Sequence, residues 1–340
     1  MASAPAAVAE IRSTRRDAVS AGETSRQRFR RDVLAGLALP LRAIPSVWFY
    51  DAWGSRLFER IMRLPGYYPT RIETGILERH ANAMVALLAG GPSSVVDLGA
   101  GNGTKTRLIM DAALRRSPAA VYVPVDVSAT ALEAASEHLL TTWPALEVRP
   151  VHGDYVDGLA RASQTSGTAP LLALLLGSNI GNLEWAAALA LLRSLRRALR
   201  SGDHMLVGFD LLKSEDLLRG AYDDPEGVTA AFNLNLLSRV NRELGADFDL
   251  SAFEHRATFD AGRPAMESWL VSRRRQVVHV AGQRFEFREG EAIQTEISWK
   301  YTEAQIAALA REAGFEEVER FHDERRWFSD ALWRVGPEAA

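Results

Sequence analysis

The spacing of apolar residues changes twice along this chain, and the changes divide it. Up to about residue 75 the spacing is helical. One element lies near Gln27–Leu37, and Leu57, Phe58, Ile61 and Leu64 recur on one face of WFYDAWGSRLFERIMRL. An amphipathic helix follows PGYYPTR. From residue 94, short β-branched or apolar runs alternate with helical ones. SVVDLGAG, VYVPVDVS, LEVRPVHGDY, LLALLLGSN and HMLVGFDLL read as strands; RLIMDAALRR, ATALEAASEHLLTTW and EWAAALALLRSLRRAL read as helices. That alternation predicts right-handed βαβ units around a parallel sheet.

After Asp210 the alternation stops. SEDLLRGAYDD, the long helix VTAAFNLNLLSRVNREL and the strand-like FEHRATFD, AMESWLVSRRRQVVHV and QRFEFREG make an α+β stretch. At Tyr301–Gly314 a helix returns, with a capping-box start at Thr302 and Gln305 and a terminal Gly314. FEEVERFHD and RRWFSDALWRV then read as two antiparallel strands. The expected organisation is a disordered tail over residues 1–25, an α+β domain from 26–75 and 210–300, and a Rossmann-like α/β domain from 76–209 and 301–340.

Composition narrows the function classes. With 340 residues, 47% hydrophobic and 24% charged, the chain can bury a large core. A net charge of −3 disfavours a duplex nucleic-acid binder, which needs a basic face. The absence of cysteine excludes disulfides, Cys-zinc sites, iron–sulfur clusters and thiol catalysis; His/carboxylate metal sites stay formally open, though no metal is expected. No apolar run reaches the roughly 18–20 residues that span a bilayer, and the start lacks a signal peptide's apolar segment. A cytoplasmic protein with no membrane, nucleic-acid or obligate protein partner is expected.

Val95–Gly103 reads VVDLGAGNG, a glycine loop where the first strand of the alternating region ends. A dinucleotide enzyme prefers G-x-G-x-x-G, and here the third glycine comes one residue early. A Walker A loop needs glycine directly before Lys-Thr, whereas Thr104 precedes Lys105. The third reading is a nucleoside with a sulfonium tail and no phosphates. Asp126, ending the second strand, can accept both ribose hydroxyls. Asp154 in Gly153-Asp154-Tyr155, ending the third, can accept an adenine amino group. Strand-ending Asp is often a turn residue, so the signal is the three features in order. They favour S-adenosylmethionine as methyl donor, and a closing helix and hairpin on a parallel sheet suits the class I methyltransferase fold.

Beyond that loop the sequence resembles the histidine-specific Nα-methyltransferases of ergothioneine biosynthesis. The resemblance runs from about residue 30 onward and is carried by WFYDAWGSRLFERIMRLPGYYPTR, DLGAGNGTKT, VPVDVS, GSNIGNLE, AYDDPEGVTAAFNLN and TEISWKYT. It implies transfer of three methyl groups to the α-amino nitrogen of L-histidine, giving hercynine. It also implies that Gly99, Lys105, Asp126, Gly153 and Asp154 contact the methyl donor. Tyr67, Gly177, Asn182, Tyr222, Glu296 and Ser298 would form the amino-acid pocket, with Asn182 and Tyr222 nearest the chemistry and Tyr50 a further candidate.

These residue types suit the task. An Asn amide both donates and accepts, a Tyr hydroxyl can donate to a carboxylate, and Glu with Ser can serve the two imidazole nitrogens. Glu296 and Ser298 alternate on an extended segment and so face one side of it. Each also has a bland reading: Tyr67 or Tyr68 as packing, Asn182 as a turn residue or helix cap, Glu296 as a surface strand residue, Lys105 as a solvated side chain. Ser268 and Trp299 depart from the family pattern beside the side-chain pocket. They keep open another aromatic or heteroaromatic amino acid as substrate. A nicotinamide oxidoreductase and a non-catalytic S-adenosylmethionine-binding module are the competing classes.

Overall fold

The computed structural model describes residues 24–167 and 169–337. They divide into two compact units. An α+β unit takes the residues up to Tyr68, Asn182–Ala187 and Lys213–Lys300; a sheet unit takes Pro69–Gly181, Ala188–Leu212 and the residues from Tyr301 onward. The expected tail lies mostly outside the described residues. Its last two positions are ordered: Thr24 caps the helix Ser25–Leu37 in a capping box with Gln27, and Ser25 opens it. Residues 69–75 group with the sheet unit rather than the α+β unit. They belong to the helix Tyr68–Ala86, whose Ile76, Leu77, Met84 and Val85 sit in that unit's core. Among the described residues no helix is long and apolar enough to cross a membrane.

In the α+β unit, Asp51 caps the helix Ala52–Arg63 by accepting from the Gly54 amide at 2.7 Å. Leu57, Ile61 and Leu64 then bury beside Phe232, Leu236 and Val240 of the helix Val228–Leu244. Strands Arg42–Ala43, Ala292–Trp299, Ala265–Ser272 and Phe253–Asp260 form one sheet in that order. The segment AMESWLVSRRRQVVHV is not one strand but two. Ala265–Ser272 belongs to this sheet, while Gln276–Val280 pairs with Gln283–Phe287 in a separate hairpin. The break falls at Arg273–Arg275, where three long cations in a row would have to place one among buried apolar neighbours.

One irregularity in this sheet decides which side chains share a face with Glu296. Gln294 pairs with Trp269 but Glu296 pairs with Ser268, so Thr295 is an extra residue, a β-bulge. Cross-strand partners point to the same face, so the bulge reverses the parity of everything after it. Gln294 lies on the Glu267 face and bonds the Glu267 carboxylate at 3.2 Å. Glu296 and Ser298 lie on the Ser268–Met266 face. The Thr295 hydroxyl, buried, sits 3.0 Å from the Ser268 carbonyl and 2.6 Å from Asn233 Oδ1, which holds the extra residue in place.

In the sheet unit, seven strands run in the order Glu316–His322, Phe328–Arg334, His204–Asp210, Leu171–Leu175, Ser94–Leu98, Val121–Asp126 and Val151–His152. The five strands from His204–Asp210 to Val151–His152 are parallel and the first two join antiparallel. Ser94–Leu98 and Leu171–Leu175 are buried at every position, as strands in a helix-covered sheet should be, and the second is apolar throughout. The third expected strand shrinks to Val151–His152 plus an isolated bridge from Val148 to Tyr122. Pro150 between them has no amide to donate to a ladder. The helix Glu303–Ala313 shows the capping box of Thr302 with Gln305 and the left-handed Gly314. This parallel sheet with its antiparallel closing hairpin is the α/β class I methyltransferase fold.

Gly208 lies opposite Asp330 in this sheet, and a Cβ there would stand 2.3 Å from Glu73 Oε1 and 3.1 Å from the Phe328 ring. Both neighbours are fully buried. Gly208→Ala is expected to cost about 1–3 kcal/mol through overpacking, read as a lower urea midpoint. An unchanged midpoint would mean that Glu73 has room to yield.

Candidate functional site

The expected site residues gather chiefly in two clusters, one in each unit. In the sheet unit the first begins at Asp97, which points inward from the end of Ser94–Leu98. It accepts from Thr106 Oγ1 and, at 3.2 Å, from Tyr122 Oη. Burial pushes its carboxyl up to about 6 against these donors and the nearby Lys105 charge. Asp97 thereby ties the strand end to the first turn of the helix Thr106–Arg116, and the glycine loop is strung between the two. Gly99, Gly101 and Gly103 all have positive φ, which costs a glycine nothing. Gly103 packs so close to Ala135 and Leu139 that a Cβ would meet them at 3.0–3.2 Å. At Gly101 a Cβ would meet nothing within 4 Å, so there the backbone is open to a ligand.

Asp126 stands beside this opening. One oxygen accepts from the Gly101 amide at 3.3 Å and the other from the Ser128 amide at 2.9 Å. Burial raises its pKa and these amides oppose the rise. Each carboxylate oxygen keeps a further lone pair for a hydroxyl. The Gly153 amide donates to the Asp126 carbonyl at 3.1 Å, so the two strand ends are joined. Asp154 is a helix cap: one oxygen accepts from the Val156 and Asp157 amides at 3.1 and 3.0 Å. Gly99, Asp126, Gly153 and Asp154 thus line one edge of the parallel sheet, at the carboxyl ends of adjacent strands, where open α/β sheets bind ligands.

Lys105 ends the loop in an ion pair with the fully buried Glu73, whose other oxygen accepts from the Gly177 amide at 2.7 Å. Gly177, expected in the amino-acid pocket, therefore sits with Lys105; a Cβ on it would be 3.3 Å from Lys105 Nζ. The next residue, Ser178, has φ of 55°, a conformation a serine adopts only under constraint, and its hydroxyl accepts from the Asp210 amide at 3.0 Å. Asp330, on Phe328–Arg334, completes the group. Neither of its buried oxygens has a hydrogen-bond partner, and burial together with the Glu73 charge drives its pKa well above the usual range.

The second cluster lies in the α+β unit, on the face that the bulge selects. Tyr222, at the end of the helix Glu215–Tyr222, donates to Ser298 Oγ at 2.7 Å. Lys300, fully buried, donates to Tyr222 Oη at 2.9 Å and to Ser298 Oγ at 2.8 Å, with its ammonium 4.7 Å from the centre of the Tyr222 ring. Glu296, two residues before Ser298, receives a long hydrogen bond of 3.4 Å from Ser268 Oγ. Desolvation pushes its carboxyl up to about 7, opposed by the Lys300 charge. The residue is nevertheless only half-buried.

Tyr50 and Tyr67 meet in the same unit through Phe58, whose ring centre is 5.6 Å from one and 6.1 Å from the other, both edge-on. Tyr68 is the packing member of the adjacent pair: it is buried and its hydroxyl accepts from Lys213 Nζ at 3.0 Å. Asn182 ends the 3-10 turn Asn179–Asn182 and is half-buried. Trp299 pairs with Ala265 and so points away from the Ser298 face. Sequence reasoning missed Lys300, Glu73 and Asp330. For Lys300 a signal existed, since positions 296, 298 and 300 share a strand face. For Asp330 it was a carboxylate in the middle of the apolar run FSDALW.

A family model described as a SAM-dependent, histidine-specific methyltransferase matches residues 29–335. A histidine N-alpha-methyltransferase of Mycolicibacterium smegmatis is 40% identical over 318 residues, spanning 93% of this chain and 95% of that protein. One from Mycobacterium tuberculosis is 39% identical over 310 residues, spanning 90% and 92%. The ergothioneine biosynthesis protein 1 of Schizosaccharomyces pombe is 27% identical over 286 residues, which are 82% of this chain and 37% of that larger protein.

The Glu296 carboxyl yields a test by pH. Its pKa rises from 4.5 to about 7 on folding, so the native state holds the proton more tightly than the unfolded chain. That contribution is complete below about pH 4.5 and is lost as pH rises through about 7. Glu296→Gln cannot lose it. The stability of the wild type relative to this variant is expected to fall by on the order of 1–3 kcal/mol between pH 5 and pH 8.5, read from urea midpoints. A gap independent of pH would place the carboxyl in water.

Proposed function

The chain belongs to the family of SAM-dependent, histidine-specific methyltransferases, and we propose that it transfers three methyl groups to the α-amino nitrogen of L-histidine, giving hercynine for ergothioneine biosynthesis. The observation that carries this reading is the polarity of Glu296 and Ser298. With a pKa of about 7 Glu296 ionises readily against a partner N–H, and ionised it can only accept, while Ser298 Oγ already accepts from Tyr222 and Lys300 and has its proton left to give. A neutral imidazole has one N–H and one bare nitrogen, the matching pair. Ser268 supports the same choice: its hydroxyl is directed at Glu296 and adds to the polarity of the pocket. An indole or phenol would leave these polar groups poorly matched, which is the strong form of discrimination.

The donor cluster fits S-adenosylmethionine by its chemistry: an open glycine backbone at Gly101, a carboxylate at the next strand end, and no arrangement for phosphates. When bound, S-adenosylmethionine supplies a methyl carbon activated by its sulfonium. In this reading Asp126 accepts from the ribose hydroxyls, the second oxygen of Asp154 accepts from the adenine amino group, and Gly99 and Gly153 let the backbone come close. Lys105, with one of its three N–H groups on Glu73, directs the others to the donor's carboxylate, and Gly177 shapes that end.

On the acceptor side Glu296 and Ser298 fix the imidazole, and Tyr67 closes on the ring. Asn182 holds the α-carboxylate and α-amine, and Tyr222, whose proton goes to Ser298 Oγ, meets the α-amine as a hydrogen-bond acceptor. Asn182 orients the nitrogen without acting as a strong base, so each of the three amine protons leaves to water as a methyl takes its place. Catalysis is then chiefly alignment of the amine with the methyl carbon.

The test is a competition assay with the full amino-acid set and S-adenosylmethionine, read by mass. Histidine gaining three methyl groups in steps of one is expected, and Glu296→Ala should lower its turnover by roughly a hundredfold through loss of a charge-assisted hydrogen bond. Dominant methylation of tryptophan or tyrosine overturns the substrate. Asp126→Ala is expected to weaken S-adenosylmethionine binding by about tenfold or more in calorimetry. Unchanged affinity removes Asp126 from the donor site.

A further inference from the structure

A lysine taken wholly out of water is costly, and a sheet strand keeps one only where something uses it. Lys300 is such a residue, and its ammonium is directed at two hydroxyl oxygens 2.9 and 2.8 Å away. Hydroxyls are ambivalent, able to donate or accept as a neighbour requires. The cation removes that ambivalence. Ser298 Oγ takes one hydrogen bond from Lys300 and one from Tyr222, which fills both of its lone pairs. A cation polarising an O–H also makes it a stronger donor.

We propose that Lys300 is a positioning residue that converts the Ser298 hydroxyl into an obligate hydrogen-bond donor toward the side chain of the acceptor amino acid. Lys300 touches neither substrate; it acts through Tyr222 and Ser298, and its charge also favours the ionised form of Glu296 on the same face. The consequence is a division of labour along one strand face. Glu296 accepts, Ser298 donates, and the two lie about 7 Å apart by strand geometry, so that each addresses a different atom of one small ring. Without the cation, Ser298 could turn round to accept, and the pocket would bind a ring with two N–H groups as readily as a ring with one.

This inference rests on the reading of Glu296 and Ser298 as the side-chain pocket, and the experiment keeps the two apart. Lys300→Met, Ser298→Ala and the double variant are compared with the wild type for histidine KM, kcat and calorimetric S-adenosylmethionine affinity. Lys300→Met is expected to raise the histidine KM by about tenfold, with kcat and donor affinity changed much less. Because Lys300 acts on the donor through Ser298, the double variant should be hardly worse than Ser298→Ala alone when assayed at about pH 9, well above the Glu296 pKa of about 7. Lys300→Gln, which keeps an N–H donor without the charge and is the fallback if the Met variant does not fold, should recover part of the loss. An unchanged histidine KM in a folded Lys300 variant, or penalties that multiply in the double variant, overturns the proposal. A wild type that methylates another amino acid instead of histidine sinks the functional reading alone. The same cycle on that amino acid then decides the role of Lys300.

Discussion

A charge removed from water has to be matched by groups already in place, and both units are organised around positions where that matching is local. Asp97 has Thr106 and Tyr122, Lys105 has Glu73, and Lys300 has Tyr222 and Ser298. In each case the matched group joins two elements: a strand to the following helix, a helix to a loop, a strand to a helix some 75 residues earlier. The interactions that make burial tolerable are therefore the same ones that set the geometry of the candidate sites. Asp330 is the exception. Its oxygens lack hydrogen-bond partners, and burial together with the Glu73 charge raises its pKa, which lessens the cost of burial by favouring the neutral form.

The alternating region was almost fully legible from the sequence because its signals are local. A short unbroken run such as LLALL, set between helical segments, reads as a doubly covered strand, and the Thr302–Gln305 capping box with Gly314 marks a helix at both ends. The strand ends that bear Asp126 and Asp154 are then located by the same runs. What escaped depends on partners far along the chain. LEVRPVHGDY has strand-like residues, but Pro150 and the sheet edge leave it only two paired positions. AMESWLVSRRRQVVHV carries no turn residue, yet its arginines divide it between two sheets.

The candidate site was legible in the same uneven way. That Glu296 and Ser298 share a face follows from alternation; which face it is, and that Lys300 lies on it in contact with Tyr222, depends on pairing with another strand. Glu73 gave no local sign at all, being one glutamate among several in an ordinary helical pattern, and only Gly208 across the sheet shows that space is reserved for it. Gly177 was placed by resemblance with the amino-acid pocket; its amide is committed to Glu73 and its neighbours are those of the glycine loop.

The extra residue at Thr295 has an implication for how this family of folds can change. A strand segment that begins one residue late presents its other side, so Glu296, Ser298 and Lys300 are addressed by chain length rather than by their own identity. Ordinary substitution can tune such a pocket by degrees. Losing or gaining a single codon at this point would exchange it whole, bringing Ile297 and Trp299 to this face and sending the polar trio to the other, with every one of those residues unaltered.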